Sequence, residues 1–596
     1  MKQAGFLLCI SFYNAYFTEE CHYDGISGII MPQCNMEYHN MQKYRIFIAF
    51  SVFCCIMLLC AAYTVLADEQ EGIYLYDSLE TAATDLANDT VGELSTPEGS
   101  VAINSHTKTI TLLNDVTLSQ TCAFSHMTLN LGGYTVKMTP DSGIILSDAH
   151  LVGGNVILPA TTEEDDVYQA VVLSHSTAEN INFSSQSGYK VYCLYADSEA
   201  TVKNCTFDIS GDYYNVRCVT GSEDAVMHVE NCSFHCNASC HILLGVHASG
   251  TRCFVRECMF DITNTQDTGD ASYVYGVYSS TGLMQAENCD FSIRHTGLTG
   301  RCYGITCKPD TTIEVNGCSV YADSHYLSDN TTYVALAIGI IGRECDMRVL
   351  DTSVHGNHSG MQISGKLYAC NSSFEATGHG GIYFCKNRVD DIDGPLPTIG
   401  YVKNCSLSHC PAQGIFEVDA SSKQYSGDNK AAFYIGGSSG ATNIHVVMDR
   451  CTITGEKYSG VLRGSSQEHD NSLHISNSTV TAPMRVDNNT HCLYVGENVN
   501  IVSSDIFYWN RKCFAAYDAT PDAQVFFETL TYGSPFHGDY TDDGLITDED
   551  AVYLLYFTLF PESYPVLQSP DYNNDGIVEA RDAADLLNYT LGIDMT

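Results

Sequence analysis

Positive charge is scarce in this chain. Against 71 aspartates and glutamates stand 28 lysines and arginines, for a net charge of −43 over 596 residues. So acidic a chain is soluble and is repelled by nucleic acid and by anionic membrane surfaces. A polyanionic ligand would be repelled too, unless cations or a local basic patch intervened. Helical periodicity is missing through the whole middle of the sequence, which excludes a bundle or a helical repeat. C-x-x-C spacing and recurrent Cys/His pairing are missing as well, although there are 27 cysteines. A zinc or redox reading of those cysteines therefore finds no pattern to rest on.

One long stretch lacks charge altogether. Ile46 to Ala67 carries no ionisable side chain other than cysteine and tyrosine, follows Lys43 and Arg45, and ends in small residues before Asp68. That is the layout of a secretory signal peptide over 41–67, cleaved after Ala67. It is also about long enough to span a bilayer, so an uncleaved anchor is the alternative. A signal peptide starts close to its basic cluster, which points to Met41 or Met36 as the start and to 1–40 as an extension outside the folded protein. The expected location is extracellular, with no membrane contact after cleavage.

What fills the middle is a repeat. The pattern apolar-x-Asn-Cys-x-Phe runs from Val202 to Phe207 and from Val229 to Phe234. It recurs from Val255 to Phe260, Ala286 to Phe291, Val315 to Val320 and Val402 to Leu407. Between copies lies a second strand signal, as in Tyr275-Gly-Val-Tyr278, Tyr303-Gly-Ile-Thr306 and Gly381-Ile-Tyr-Phe384. Short strands separated by Gly, Asn, Asp and Ser at a fixed period describe a solenoid. The expected fold is mainly β, a right-handed parallel β-helix of about a dozen coils, stacked about 4.8 Å apart, over 101–520. Cys and Phe should face inward in ladders as free thiols and apolar filler, with Asn in the bends. Cys236 and Cys240 read as a turn insertion. An amphipathic helix within 68–100, capped by Asp77 or Ser78, should plug the first coil. Residues 521–535 should close or link the far end.

The last sixty residues hold two twelve-residue loops, Asp539 to Asp550 and Asp571 to Asp582, with oxygen side chains at ligand positions and Gly at position six. That spacing suits a hard cation such as Ca²⁺. The ligands would be Asp539, Thr541, Asp543, the Leu545 carbonyl and Asp550 in the first loop. In the second they would be Asp571, Asn573, Asp575, the Ile577 carbonyl and Asp582. A short apolar-periodic helix follows each loop and none precedes it. This duplicated loop-then-helix unit, over 536–596, resembles a dockerin. The resemblance implies two bound Ca²⁺ ions, a cohesin module of a scaffoldin as partner, a cellulosome-type setting, and a chain otherwise monomeric.

The β-helix resembles pectate lyases and polygalacturonases, which implies action on plant cell-wall polysaccharide, as a lyase or a glycoside hydrolase. A non-catalytic, glycan-binding rod is the alternative. Catalytic candidates gather at His379, Lys386 and Arg388, with Asp390, Asp391 and Asp393 as a possible cation site. Gly378-His379-Gly380 is similar to the polygalacturonase G-H-G, but the aspartate motifs that accompany it in that family are missing here. Tyr383, Phe416 and Tyr434 are the expected sugar-contacting rings, within an outward file that also takes in Tyr278, Thr306, Gln362, Leu462 and Tyr494.

Overall fold

The structure is a computed structural model. It describes residues 72–92, 96, 99–162, 167–250, 252–266, 272–280, 282–297, 300–324, 336–378, 380–385, 390–391, 394–395, 397–410, 431–436, 444–456, 458–463, 471–482, 484–487, 491–495, 500–501, 507–509, 512–514, 524–526, 538–541, 546–566, 569–573 and 577–591. The signal-peptide region and the 521–535 linker fall mainly or wholly outside these residues.

Each coil presents three parallel faces, visited in the same order. One coil runs from Ala200–Lys203 on the first face into a long strand, Thr206–Gly221, whose two halves lie on the second and third faces. The next coil repeats this with Val226–Glu230 and Ser233–Ala248. Pairing between coils is parallel and in register: Val202 lies beside Val229, Phe207 beside Phe234, and Arg217 beside Leu244. This is a parallel β-helix, as the repeat implied.

The motif explains the corner between the first and second faces. Asn204, Asn231, Asn288, Asn371 and Asn404 all have φ between 49 and 53°, a left-handed conformation that Asn tolerates well. Their amides bond along the axis, Asn231 donating to Asn204 and Asn404 to Asn371, each at 2.7 Å. The cysteine that follows turns inward. Its sulfur accepts the backbone N–H of the previous coil, as from Cys205 to Cys232 and from Cys289 to Cys318, both 3.4 Å. Where the motif degenerates, Thr352, Ser372 and Ser478 take the same bond from Cys318, Thr352 and Cys451. A position shared by thiol and hydroxyl is a hydrogen-bonding position. Burial also pushes the Cys451 thiol up to about 12, so it stays protonated and unreactive.

Two residues after Cys205, Cys232, Cys258 and Cys289, and after Ile181 one coil earlier, phenylalanine fills the core. Phe183, Phe207, Phe234, Phe260 and Phe291 stack at 4.4–5.0 Å and are fully buried. The glycines of the second motif make room for them. A Cβ on Gly276 would lie 2.8 Å from the Phe291 ring and 2.6 Å from the Gly304 carbonyl. Gly276 and Val277 are both buried while Tyr275 and Tyr278 on either side are half-exposed, so the strand breaks its alternation there.

Three expectations are corrected. Cys236 and Cys240 do not belong to a turn insertion; they continue the strand Ser233–Ala248 and are buried, Cys236 lying 3.6 Å from Cys218. Leu462 faces the core, because Tyr434 lies beside Val461 and Ile435 beside Leu462. Tyr494 belongs to the first face, where it lies beside His474.

Helix α1, Leu79–Ala87, is capped by the Ser78 hydroxyl and packs Leu79, Ala82, Ala83 and Leu86 into the start of the core. Helices α2, Asp548–Leu559, and α3, Ala580–Thr590, follow the two acidic loops and pack through Leu554, Ala551, Ala583 and Leu586.

Candidate functional site

The third face is free of carboxylates over most of its length. From Gly143–Ser147, through the strand halves around Val191, Val216 and Leu243, to Ala431–Ile435, its described strands contain no Asp or Glu except Asp212 at the entry corner, with Asp197 and Glu223 just past the strand ends near Tyr195. In a chain with 71 acids this is a marked local departure. The first face is different: there Lys203 pairs with Glu230 and Arg256 with Glu287, at 3.7 and 3.2 Å.

A continuous line of side chains crosses this acid-free face, one from each of five successive coils. The Arg217 guanidinium lies over the Tyr192 ring, 4.6 Å from its centroid. Its Nη1 donates to His247 Nδ1 at 2.7 Å. The His247 ring lies 5.4 Å from Tyr278, and Lys308 Nζ lies 5.5 Å from the Tyr278 centroid. Tyr192 and Arg217 are in register, as are His247 and Tyr278, but His247 sits three residues further along its strand than the partner of Arg217. Lys308 sits just past Cys307, the partner of Ser279. The line therefore runs obliquely across the coils.

The guanidinium only donates, so His247 Nδ1 must accept, which leaves the ring proton on Nε2. Burial, and the cations Arg217 and Lys308, hold the His247 pKa down to about 3. His247 is thus a neutral N–H donor and not a free base. Burial also lowers Arg217, without removing its charge at any ordinary pH. The buried Nε of Arg217 and the hydroxyls of Thr220 and Thr306 have no hydrogen-bond partner. Thr220 is the register partner of His247, and Thr306 that of Tyr278. Buried polar groups without protein partners are costly and are ordinarily met by ordered water or a small shift of the side chain.

Beside the line, Tyr189 stacks on Tyr214 at 5.0 Å, Tyr214 on His241 at 5.2 Å, and Tyr275 on Tyr303 at 5.2 Å. Lys190 and Arg301 lie over Tyr189 and Tyr273. These rings stack on one another along the axis, so they offer edges and hydroxyls outward and keep their faces occupied. The surface can hydrogen-bond and neutralise anions; it is poorly built for stacking on sugar rings.

Of the residues expected from sequence, Tyr383 is half-exposed on this face, edge-on to Tyr434 at 6.1 Å. Tyr434 is 3% exposed and packs with Ala431, Tyr458 and Val461, which corrects its assignment as an open sugar platform. His379, Lys386, Arg388, Asp393 and Phe416 lie outside the described residues. Asp390–Asp391 pairs antiparallel with Gly394–Pro395. The oblique line was missed because its members stand 25 to 31 positions apart. The signal that could have found it is cationic and aromatic residues recurring at the repeat period in strands without acids.

The C-terminal loops bury carboxylates. Asp539 is 1% exposed, and Asp550 and Asp582 are fully buried. Asp550 accepts the N–H groups of Thr541 and Thr547, both at 2.8 Å; Asp582 accepts those of Asn573 and Glu579 at 3.2 and 2.9 Å. Each therefore ties the start of its loop to the first turn of its helix. In the first loop Asp539 and Asp550 are both buried, an arrangement that a bound cation would relieve; among the described residues no group of three or more His, Cys, Asp or Glu gathers as a metal site. Thr541, Asp571 and Asn573 are half-buried and Ile577 is exposed, whereas Asp543, Leu545 and Asp575 lie outside the described residues.

No family model and no curated protein matches the chain. Among solved structures it is similar to a PL6 family alginate lyase, at 12% identity over 77% of this chain and 81% of that one, with a TM-score of 0.26. It is also similar to the A-module of the mannuronan C-5 epimerase AlgE6 of Azotobacter vinelandii, at 10% identity over 70% and 92%, with a TM-score of 0.22.

Proposed function

We propose that this chain acts on an acidic, uronate-bearing polysaccharide of the plant cell-wall type, held against the third face of its β-helix. The observation that carries this reading is the acid-free face crossed by Arg217, His247, Tyr278 and Lys308, in a protein that is otherwise strongly anionic. Lyase chemistry fits these residues better than hydrolysis. A hydrolase needs two carboxylates facing across the bond, and the described strands of this face supply none. A lyase needs the uronate carboxylate neutralised, so that the adjacent carbon can lose its proton, a group to take that proton, and a proton for the glycosidic oxygen, whose bond to the ring breaks as the carbon–carbon double bond forms. Arg217 with His247 Nε2–H would do the first. On this line the second falls to Tyr278, since the His247 lone pair is engaged by Arg217.

The C-terminal unit would attach this protein to a scaffold. In this reading it is a dockerin, its loops hold two Ca²⁺ through Asp539, Asp543, Asp550, Asp571, Asp575 and Asp582, and its partner is a cohesin. Bound calcium would draw each loop around its buried carboxylate; the chain's own residues fix the loop to the helix through Asp550 and Asp582. The protein would be extracellular.

Incubating the chain with pectic and alginate-type polysaccharides, with Ca²⁺ and with chelator, tests the reading. A rise in ultraviolet absorbance from unsaturated uronides supports the lyase. Reducing ends without that absorbance replace it with a hydrolase. Adsorption without products leaves a binding protein, and no adsorption to any acidic polysaccharide overturns the assignment.

A further inference from the structure

Resting on that reading, we propose that Arg217 and Lys308 clamp one and the same acidic chain, lying obliquely across the coils, and so set the shortest oligomer the site holds well. Arg217 follows Tyr192 at one end of the line and Lys308 closes the other. They are separated by three coils, about 14 Å of rise at the usual strand spacing. Between them stand neutral groups: the His247 imidazole, whose Nδ1 is taken by Arg217, and the Tyr278 phenol.

This order of groups has a consequence for the ligand. An anion is met at each end and hydroxyls or ring oxygens are met in between. A polymer bound across the line would meet Arg217 or Lys308, but not both. A polymer bound along it can give carboxylates to both, provided that it is long enough to span the intervening coils. Carboxylates between the two ends would have to turn away from the face, which a twisted polysaccharide does as its successive units rotate.

Calorimetric titration of the full chain with galacturonate and mannuronate oligomers, from the dimer to the octamer, tests this. Affinity should climb with length until both cations are reached and then level off. Replacing Lys308, which is exposed, should separate the cases: Lys308→Ala should weaken the longer oligomers about tenfold and leave the dimer, seated at Arg217, unchanged. Arg217→Gln should weaken both, and Arg217→Lys should restore part of the loss. A dimer that binds as tightly as the octamer overturns the clamp, as does a Lys308→Ala loss that is equal at every length; in either case the binding face itself survives. Failure of every oligomer to bind removes the face and the clamp together.

Discussion

Histidine 247 shows how far one residue's protonation can be argued. Its pKa is held near 3 in the folded chain, against 6.5 for an ordinary imidazole. Between those values the unfolded chain binds a proton that the folded one does not, so this contribution to stability is complete above about pH 6.5 and is lost as pH falls toward 3. Melting temperature should therefore fall on acidification through that window, and less steeply in His247→Gln. Because the ring stays neutral, affinity for an acidic oligomer should not rise between pH 7.5 and 5.5; a rise would show that His247 takes up a proton in the complex. In the core, Phe234 is fully buried between Phe207 and Phe260. Phe234→Ala should cost about 3–5 kcal/mol of stability in denaturant titration. The inward place of Phe234 was legible from sequence, since Cys and Phe two positions apart must share a face. The role of Arg217 was not, because nothing near it in sequence distinguishes a solvated arginine from one bonded to a histidine thirty residues on.

The coil and the loop–helix unit are the elements, and they differ in what the sequence revealed. The Asn-Cys corner was readable because its chemistry is local: a left-handed residue, then an inward side chain with a hydrogen-bonding tip. The substitution of Cys by Thr352 and Ser372 keeps that tip and loses only the spelling. The order of strands was less readable near the end, where Tyr494 lies on the first face and had been grouped with the third. A short apolar run carries no mark of which face it occupies. In the loop–helix unit the decisive residues are Asp550 and Asp582, each buried and each closing a capping box at the start of its helix. Asp550→Ala should leave two backbone donors unpaired and loosen the first loop, at a cost of about 1–3 kcal/mol for each lost partner. Chelation should likewise release α2 and α3, read as loss of helical circular dichroism, while the β signal persists. A unit that keeps its helices in excess chelator would not depend on metal.

At the scale of the whole molecule the governing fact is an uneven distribution of charge. A net charge of −43 should make any approach of a polyanion costly at a distance, whereas on the proposed reading the cationic line of the third face would reward it at contact. Moderate salt screens exposed charges beyond about 8–10 Å and leaves partly buried contacts less affected. Affinity for acidic oligomers should therefore rise slightly, or hold, as salt is raised from very low values, and fall only at higher concentrations. A steep fall from the first addition would mean that long-range attraction dominates and that the acid elsewhere does not matter. Composition disclosed the repulsion but could not disclose the exception, because a sum over residues carries no positions.

One residue of the oblique line comes from each coil, and the coils are interchangeable in register. The solenoid is in this sense a ruler whose graduations are its own repeats. Loss or duplication of a single coil between Arg217 and Lys308 would leave the corner ladders and the phenylalanine stack intact, yet move the two end marks by one division. Under the proposed clamp, unequal recombination alone would then change the length of ligand spanned, with no new side chain invented.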